Sequence, residues 1–387
     1  MSDETRLIHA GHAAGPLART VGPPIQKGST VLLPRAAALY DDENYVTYGR
    51  SGLSAQTSLR QALAELEGAV DVALYPSGLA AISGALMAVL KAGDEVLVVD
   101  TIYKPVRRFC DHVLKRFGVT VTYFDPGLSP DALVSGASEA VRLILLETPG
   151  SLSFEMLDAP RIAELARARG ILTAADNTWG AGLLFRPLEH GIDISLQALT
   201  KYVCGHSDTF MGSAAARDSG IARKLADGIT HMGWAVSGED AYAMLRGLRT
   251  LPTRMARHQA SALQVAAWLK DRPEVAAIYH PGLPGCSGHD LWRRDFNGAC
   301  GLFSFTLKPA PQPAVDAFLD ALQLFGLGFS WGGFESLAIW CDPQLQVWKF
   351  PRDYGGPMIR LHIGLEDPGD LIADLSAGFK AYGKLAG

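Results

Sequence analysis

The chain lacks a Cys-x-x-Cys pair, a repeated segment, a run of basic residues and any apolar stretch long enough to cross a bilayer. Each absence removes a class of protein. Five cysteines, scattered at positions 110, 204, 286, 300 and 341, suit reduced thiols and not a disulfide framework. Lysine and arginine are dispersed and the formal net charge is -5, so there is no electrostatic footprint for nucleic acid. The first residues, Met1-Ser-Asp-Glu-Thr-Arg6, lack the basic-then-apolar order of a secretory signal. The expected location is the cytoplasm, with no membrane partner.

Several catalytic signatures are also missing. No Gly-x-Ser-x-Gly element supports a serine hydrolase. Cys204, His206 and Asp208 stand close together but match no usual zinc spacing, and no metal is expected. In Gly326-Leu-Gly328-Phe-Ser-Trp-Gly-Gly333 the third glycine is misplaced for a dinucleotide loop, which disfavours a nicotinamide enzyme.

What is present is a globular composition, 48% hydrophobic over 387 residues, enough for a large core and two domains. The first fifty or so residues are rich in glycine, proline and polar residues and read as an arm. Beyond Leu53 the pattern turns helical, and Pro76-Ser-Gly78 punctuates the chain before an apolar run at 79–90. Strand-like runs at 95–100, 142–147, 171–176 and 194–199 then alternate with helical segments such as 161–169. This alternation predicts an α/β domain with a largely parallel sheet. An amphipathic segment at 252–269, a strand at 301–307 and a closing helix at 367–382 predict a smaller α+β domain after it.

Ligands of parallel sheets bind beyond the carboxyl ends of the strands. Two such ends carry chemistry here, Asp176 and, just past its run, Lys201. An amine and a carboxylate so placed suit pyridoxal phosphate, in which a lysine forms a Schiff base with the aldehyde and an acidic group keeps the pyridine nitrogen protonated. Taken alone, each would more often be a surface lysine or a capping aspartate.

Their surroundings are more specific. Asp176-Asn-Thr-Trp179 and Gln197-Ala-Leu-Thr-Lys201-Tyr-Val-Cys-Gly-His-Ser-Asp208 are accompanied by Tyr48-Gly-Arg50, Pro76-Ser-Gly-Leu79, Glu147-Thr-Pro149 and Gly247-Leu-Arg-Thr-Leu251. Ser330-Trp-Gly-Gly-Phe-Glu-Ser336 and Arg360-Leu-His-Ile-Gly-Leu-Glu366 complete the series. In this order and over nearly the whole chain, they resemble the pyridoxal phosphate enzymes of cysteine and methionine metabolism.

The resemblance implies a fold type I transferase-like architecture, with a mostly parallel seven-stranded sheet in a cofactor domain over residues 52–247 and a smaller α+β domain over 248–387. It further implies that the arm, residues 1–51, reaches a neighbouring subunit, in a homotetramer built from dimers with shared active sites. Lys201 would carry the cofactor and shuttle the substrate proton, Asp176 would hold the pyridine nitrogen, and Tyr103 would stack on the ring and help release the lysine. Gly78 and Leu79 would give amides to the phosphate and Thr200 a hydroxyl, with Tyr48 and Arg50 supplied from the neighbour. Arg360 would hold the substrate carboxylate, with Ser330, Trp331 and Tyr48 beside the substrate.

Within that family, Trp331, Pro149-Gly-Ser151 and Ala198 resemble the bacterial cystathionine β-lyase branch. Ala198 also removes a hydroxyl that many members place near the phosphate. The implied reaction is β-elimination from an amino-acid thioether, L-cystathionine giving homocysteine, pyruvate and ammonia in methionine biosynthesis. Cystathionine γ-lyase, γ-synthase and methionine γ-lyase use the same machinery and stand as alternatives, as do other cysteine S-conjugates as substrates. A regulatory or moonlighting protein that keeps the cofactor is a further alternative.

Overall fold

The computed structural model describes residues 2–11, 20–42 and 44–386, so residues 1, 12–19 and 43 of the expected arm lie outside the described residues. Seven strands form the larger sheet: β1 (Asp71–Tyr75), β2 (Glu95–Val99), β3 (Thr120–Phe124), β4 (Val141–Glu147), β5 (Leu172–Asp176), β6 (Ile194–Gln197) and β7 (Gly212–Ala216). They run in the order β1-β7-β6-β5-β4-β2-β3. From β3 to β6 all neighbours are parallel, whereas β7 is antiparallel to both β6 and β1. The central strands read as continuous apolar runs because helices cover both faces. In β4, Leu143-Ile-Leu-Leu146 is fully buried.

The apolar run after Pro76 forms the helix Gly78–Val89. It is buried over much of its circumference, which explains why its sequence lacks a polar stripe. Ser77 caps it by accepting the Ala80 N–H at 3.1 Å. The strand beneath it, β7, is Gly-Ser-Ala-Ala-Ala and carries no strand signal. Its small residues have a steric cause: a Cβ on Gly212 would lie 2.3 Å from the Ser77 carbonyl oxygen.

The second sheet contains β8 (Val275–Tyr279), β9 (Leu302–Leu307), β10 (Gly326–Leu327), β11 (Leu337–Trp340) and β12 (Met358–His362), in the order β10-β11-β12-β9-β8. Only the β10 pairing is parallel. The closing helix, Pro368–Gly383, packs Leu371, Leu375 and Phe379 into a core with Phe305 and Phe318. Between the sheets runs the helix Leu251–Lys270, with Met255 in the larger core and Ala262, Val265 and Leu269 in the smaller. Among the described residues no helix is long and apolar enough to cross a membrane.

Candidate active site

The carboxyl ends of β4, β5 and β6 open into one cavity. Glu147 and Asp176 are register partners at the ends of β4 and β5, and Lys201 lies four residues past the end of β6. The loop around Lys201 is tightly wound: its N–H donates to the Ala198 carbonyl at 3.1 Å, and its carbonyl accepts from Gly205 at 2.8 Å. Gly205 has a φ of 72°, the left-handed conformation that closes such a turn. From the helix Leu251–Lys270, the buried Arg254 donates to the Tyr202 and Gly247 carbonyls, each at 2.7 Å.

A second close approach fixes the other side of this loop. Gly332 has a φ of 85°, and a Cβ there would stand 2.8 Å from both the Lys201 carbonyl carbon and the Tyr202 nitrogen. Gly332→Ala is therefore expected to lower stability by about 1–3 kcal/mol through backbone strain and clash. It should also displace Lys201. Thermal unfolding checks the first effect, and the spectrum of lysine-bound cofactor checks the second.

Side chains then converge from both sheets. Lys201 Nζ donates to Ser330 Oγ at 2.8 Å and lies 5.5 Å from the Trp331 ring centroid. Burial, with help from the Arg360 cation, pulls the Lys201 amine down to about 8, against the opposing pull of Asp176. Asp176 Oδ1 accepts the Thr178 N–H at 3.0 Å and the Thr178 hydroxyl at 2.5 Å. Thr178 Oγ1 in turn accepts the Ala198 N–H, which ties the end of β5 to the lysine loop. Burial nevertheless keeps the Asp176 carboxyl above its ordinary range.

Tyr103 precedes the helix Lys104–His112 and is 43% exposed, its ring bordering the cavity. Burial of its phenol raises the pKa. Its backbone N–H donates to Glu147 Oε2 at 2.7 Å. One turn on, Arg107 forms a buried ion pair with Asp100, which anchors this helix to the end of β2. Arg360, on β12, is buried and donates from Nη2 to the Phe329 carbonyl at 3.0 Å and the Ser330 carbonyl at 3.3 Å. Desolvation lowers its pKa.

Gly78, Leu79, Tyr103, Asp176, Thr200, Lys201, Ser330, Trp331 and Arg360 all line this single cavity of about 300 Å³. That volume is at the lower end for a small-molecule site. Tyr48 and Arg50 are elsewhere: the Arg50 guanidinium lies 5.3 Å from the Tyr48 ring centroid, and Arg50 borders a separate cleft with Arg60 and Trp234. Thr200 Oγ1 is occupied, accepting the Met211 N–H at 3.0 Å and donating to the Met211 carbonyl at 3.2 Å. Sequence reasoning gave no role to Glu147, Thr178 or Arg254, nor to Phe210, which also lines the cavity. Thr178 had a signal, a hydroxyl two residues after a strand-end aspartate.

The match to a family model settles the lineage: residues 4–380 fit the Cys/Met metabolism PLP-dependent enzymes. The chain belongs to that family. It is 44% identical to the cystathionine beta-lyase of Bordetella avium, over 96% of both chains. It is 40% identical to that of Escherichia coli strain K12, covering 97% of this chain and 98% of the relative. A crystal structure of cystathionine gamma-lyase from Lactobacillus plantarum, complexed with L-serine, superposes with a TM-score of 0.91 at 29% identity, covering 99% of this chain and 100% of that one.

Pyridoxal 5'-phosphate is the cofactor of the Cys/Met metabolism family, and the cavity's donor set fits it. A capped helix begins at Gly78, packed so closely on the lysine loop that a Cβ there would meet Ala198 Cβ at 2.4 Å, and its first-turn amides suit a phosphate. Opposite stand a buried carboxylate and an amine with a depressed pKa.

Proposed function

We propose that the chain is a pyridoxal phosphate-dependent carbon–sulfur lyase that cleaves L-cystathionine by β-elimination to homocysteine, pyruvate and ammonia, with other cysteine S-conjugates as further substrates. The observation that carries this reading is the Lys201 amine, held between Ser330 and Trp331 and facing Asp176 across one cavity. The names of the relatives at 40–44% identity support β-elimination over the γ-reactions.

The cofactor, when bound, supplies an electron sink for the substrate Cα. Everything else falls to the chain. Lys201 would hold the cofactor by its aldehyde and, once free, take the Cα proton at Nζ. Asp176 would hold the pyridine nitrogen, its anion steadied by the two Thr178 donors. The amides of Gly78 and Leu79 and the Thr200 hydroxyl would hold the phosphate, and Tyr103 would stack on the ring.

Among the described residues Arg360 donates to the chain through Nη2, so Nη1, which shares an edge with it, remains for the substrate carboxylate. Trp331 and Ser330 shape the cavity beside the amine. Tyr48 and Arg50 complete the cavity of a neighbouring copy, in a homotetramer of paired subunits. The working units are an arm over 1–51, a cofactor domain over 52–247 and a smaller domain over 248–387, in a cytoplasmic enzyme.

A base must be unprotonated to accept the Cα proton. With the Lys201 amine pulled down to about 8, kcat should rise as pH climbs through that value and level off above it. Initial rates across the alkaline range check this. A limb in the ordinary lysine range would overturn the depressed pKa, and a rate with no limb from neutral to alkaline pH would separate Lys201 from proton transfer. The reaction itself is tested by identifying the keto acid released from cystathionine. Pyruvate with homocysteine supports the proposal, whereas 2-oxobutyrate with cysteine overturns it.

A further inference from the structure

Two carboxyl groups stand side by side in the cavity, and the proposed reaction uses one. Glu147 and Asp176 are directly paired across the parallel strands β4 and β5, both at the last residue. What surface they retain faces the cavity, which both line. Two carboxylates sharing a desolvated site do not both ionise.

Their partners are unequal. Asp176 Oδ1 accepts an N–H and a hydroxyl from Thr178, and the Lys201 cation favours its anion further. Glu147 accepts one backbone N–H, from Tyr103, and its other neighbour is the Ser151 hydroxyl, which can donate or accept. Among the described residues no cation is set against Glu147, and Asp176 repels its charge. We propose that Glu147 is a positioning residue that stays protonated, leaving the pair's single negative charge on Asp176 while its own carbonyl oxygen tethers the Tyr103 backbone.

This assignment rests on the cofactor reading above and adds a division of labour to it. Asp176 remains the one anion beneath the pyridine nitrogen. Tyr103 is held at its main chain by a neutral acceptor, so its ring keeps its height above the cavity floor without a second charge there. Burial and Asp176 push the Glu147 carboxyl well above the usual carboxylate range, in keeping with that state.

The test compares Glu147→Gln and Glu147→Ala with the parent protein, full length and as purified. Infrared difference spectra at neutral pH should show that Glu147→Gln removes a protonated-carboxyl band and leaves the carboxylate bands unchanged. The glutamine carbonyl can still accept from Tyr103. Glu147→Gln should therefore bind cofactor within about twofold of the parent, with the visible band titrating at the same pH. Glu147→Ala should bind about tenfold more weakly, the loss expected for one buried hydrogen bond. Loss of carboxylate bands in Glu147→Gln would overturn the proposal. So would a fall of about one unit in the visible-band pKa, because removing an anion destabilises a nearby cation. The infrared result needs neither bound cofactor nor turnover, so it stands or falls separately from the lyase assignment.

Discussion

On the proposed mechanism, Lys201→Ala is expected to lower kcat by about 10⁴-fold or more, because it would remove both the covalent attachment and the proton acceptor at once. No neighbour can substitute. Ser330 is a neutral hydroxyl bonded to the lost amine, and the Tyr103 phenol, its pKa raised by burial, is a poor base near neutrality. The fold should survive, since among the described residues the Lys201 side chain bonds only to Ser330 and its loop is held through the backbone. Pyruvate release, far-ultraviolet circular dichroism and the visible spectrum measure the three parts of this expectation. Turnover at the parent rate would remove Lys201 from the chemistry.

Asp176→Asn is expected to lower kcat by about 10²–10³-fold, the usual cost of deleting one preorganised electrostatic group. The amide oxygen can still accept from Thr178, so the loop geometry is kept while the charge proposed to hold the pyridine nitrogen is lost. Stability should move the other way. Burial raises the Asp176 pKa in the folded protein. Above the unfolded-state pKa its ionised form therefore weighs against folding, and a neutral isostere relieves that penalty. A thermal melt at neutral pH without added cofactor should show an unchanged or higher midpoint. Full activity with the amide would sink the assignment of Asp176 to the ring nitrogen.

The sequence made much of this legible where chemistry interrupts pattern. Asp176 and Lys201 announced themselves by following apolar runs, and Arg360 by sitting within an apolar alternation, which the fold explains by placing it on β12 with its side chain buried. The runs at 95–100, 142–147, 171–176 and 194–199 all became strands of the larger sheet. β7 stayed invisible because alanine and glycine have low strand preference, and only the helix crossing above it explains the choice. Arg254 was illegible for a different reason: its partner in the lysine loop, Tyr202, lies 52 residues earlier, and a helical arginine looks like any other until the chain is folded. Glu147 was visible as part of a motif but had no assignable role, since that depends on the strand register that sets it beside Asp176.

Arg254 gives the molecule a mechanical property. Its helix is rooted in both cores, and its guanidinium is pinned to the main chain at Tyr202, the residue next to the amine. The helix works as an axle with the lysine loop keyed to its shaft. A shift of that helix is therefore passed directly to the main chain beside the amine.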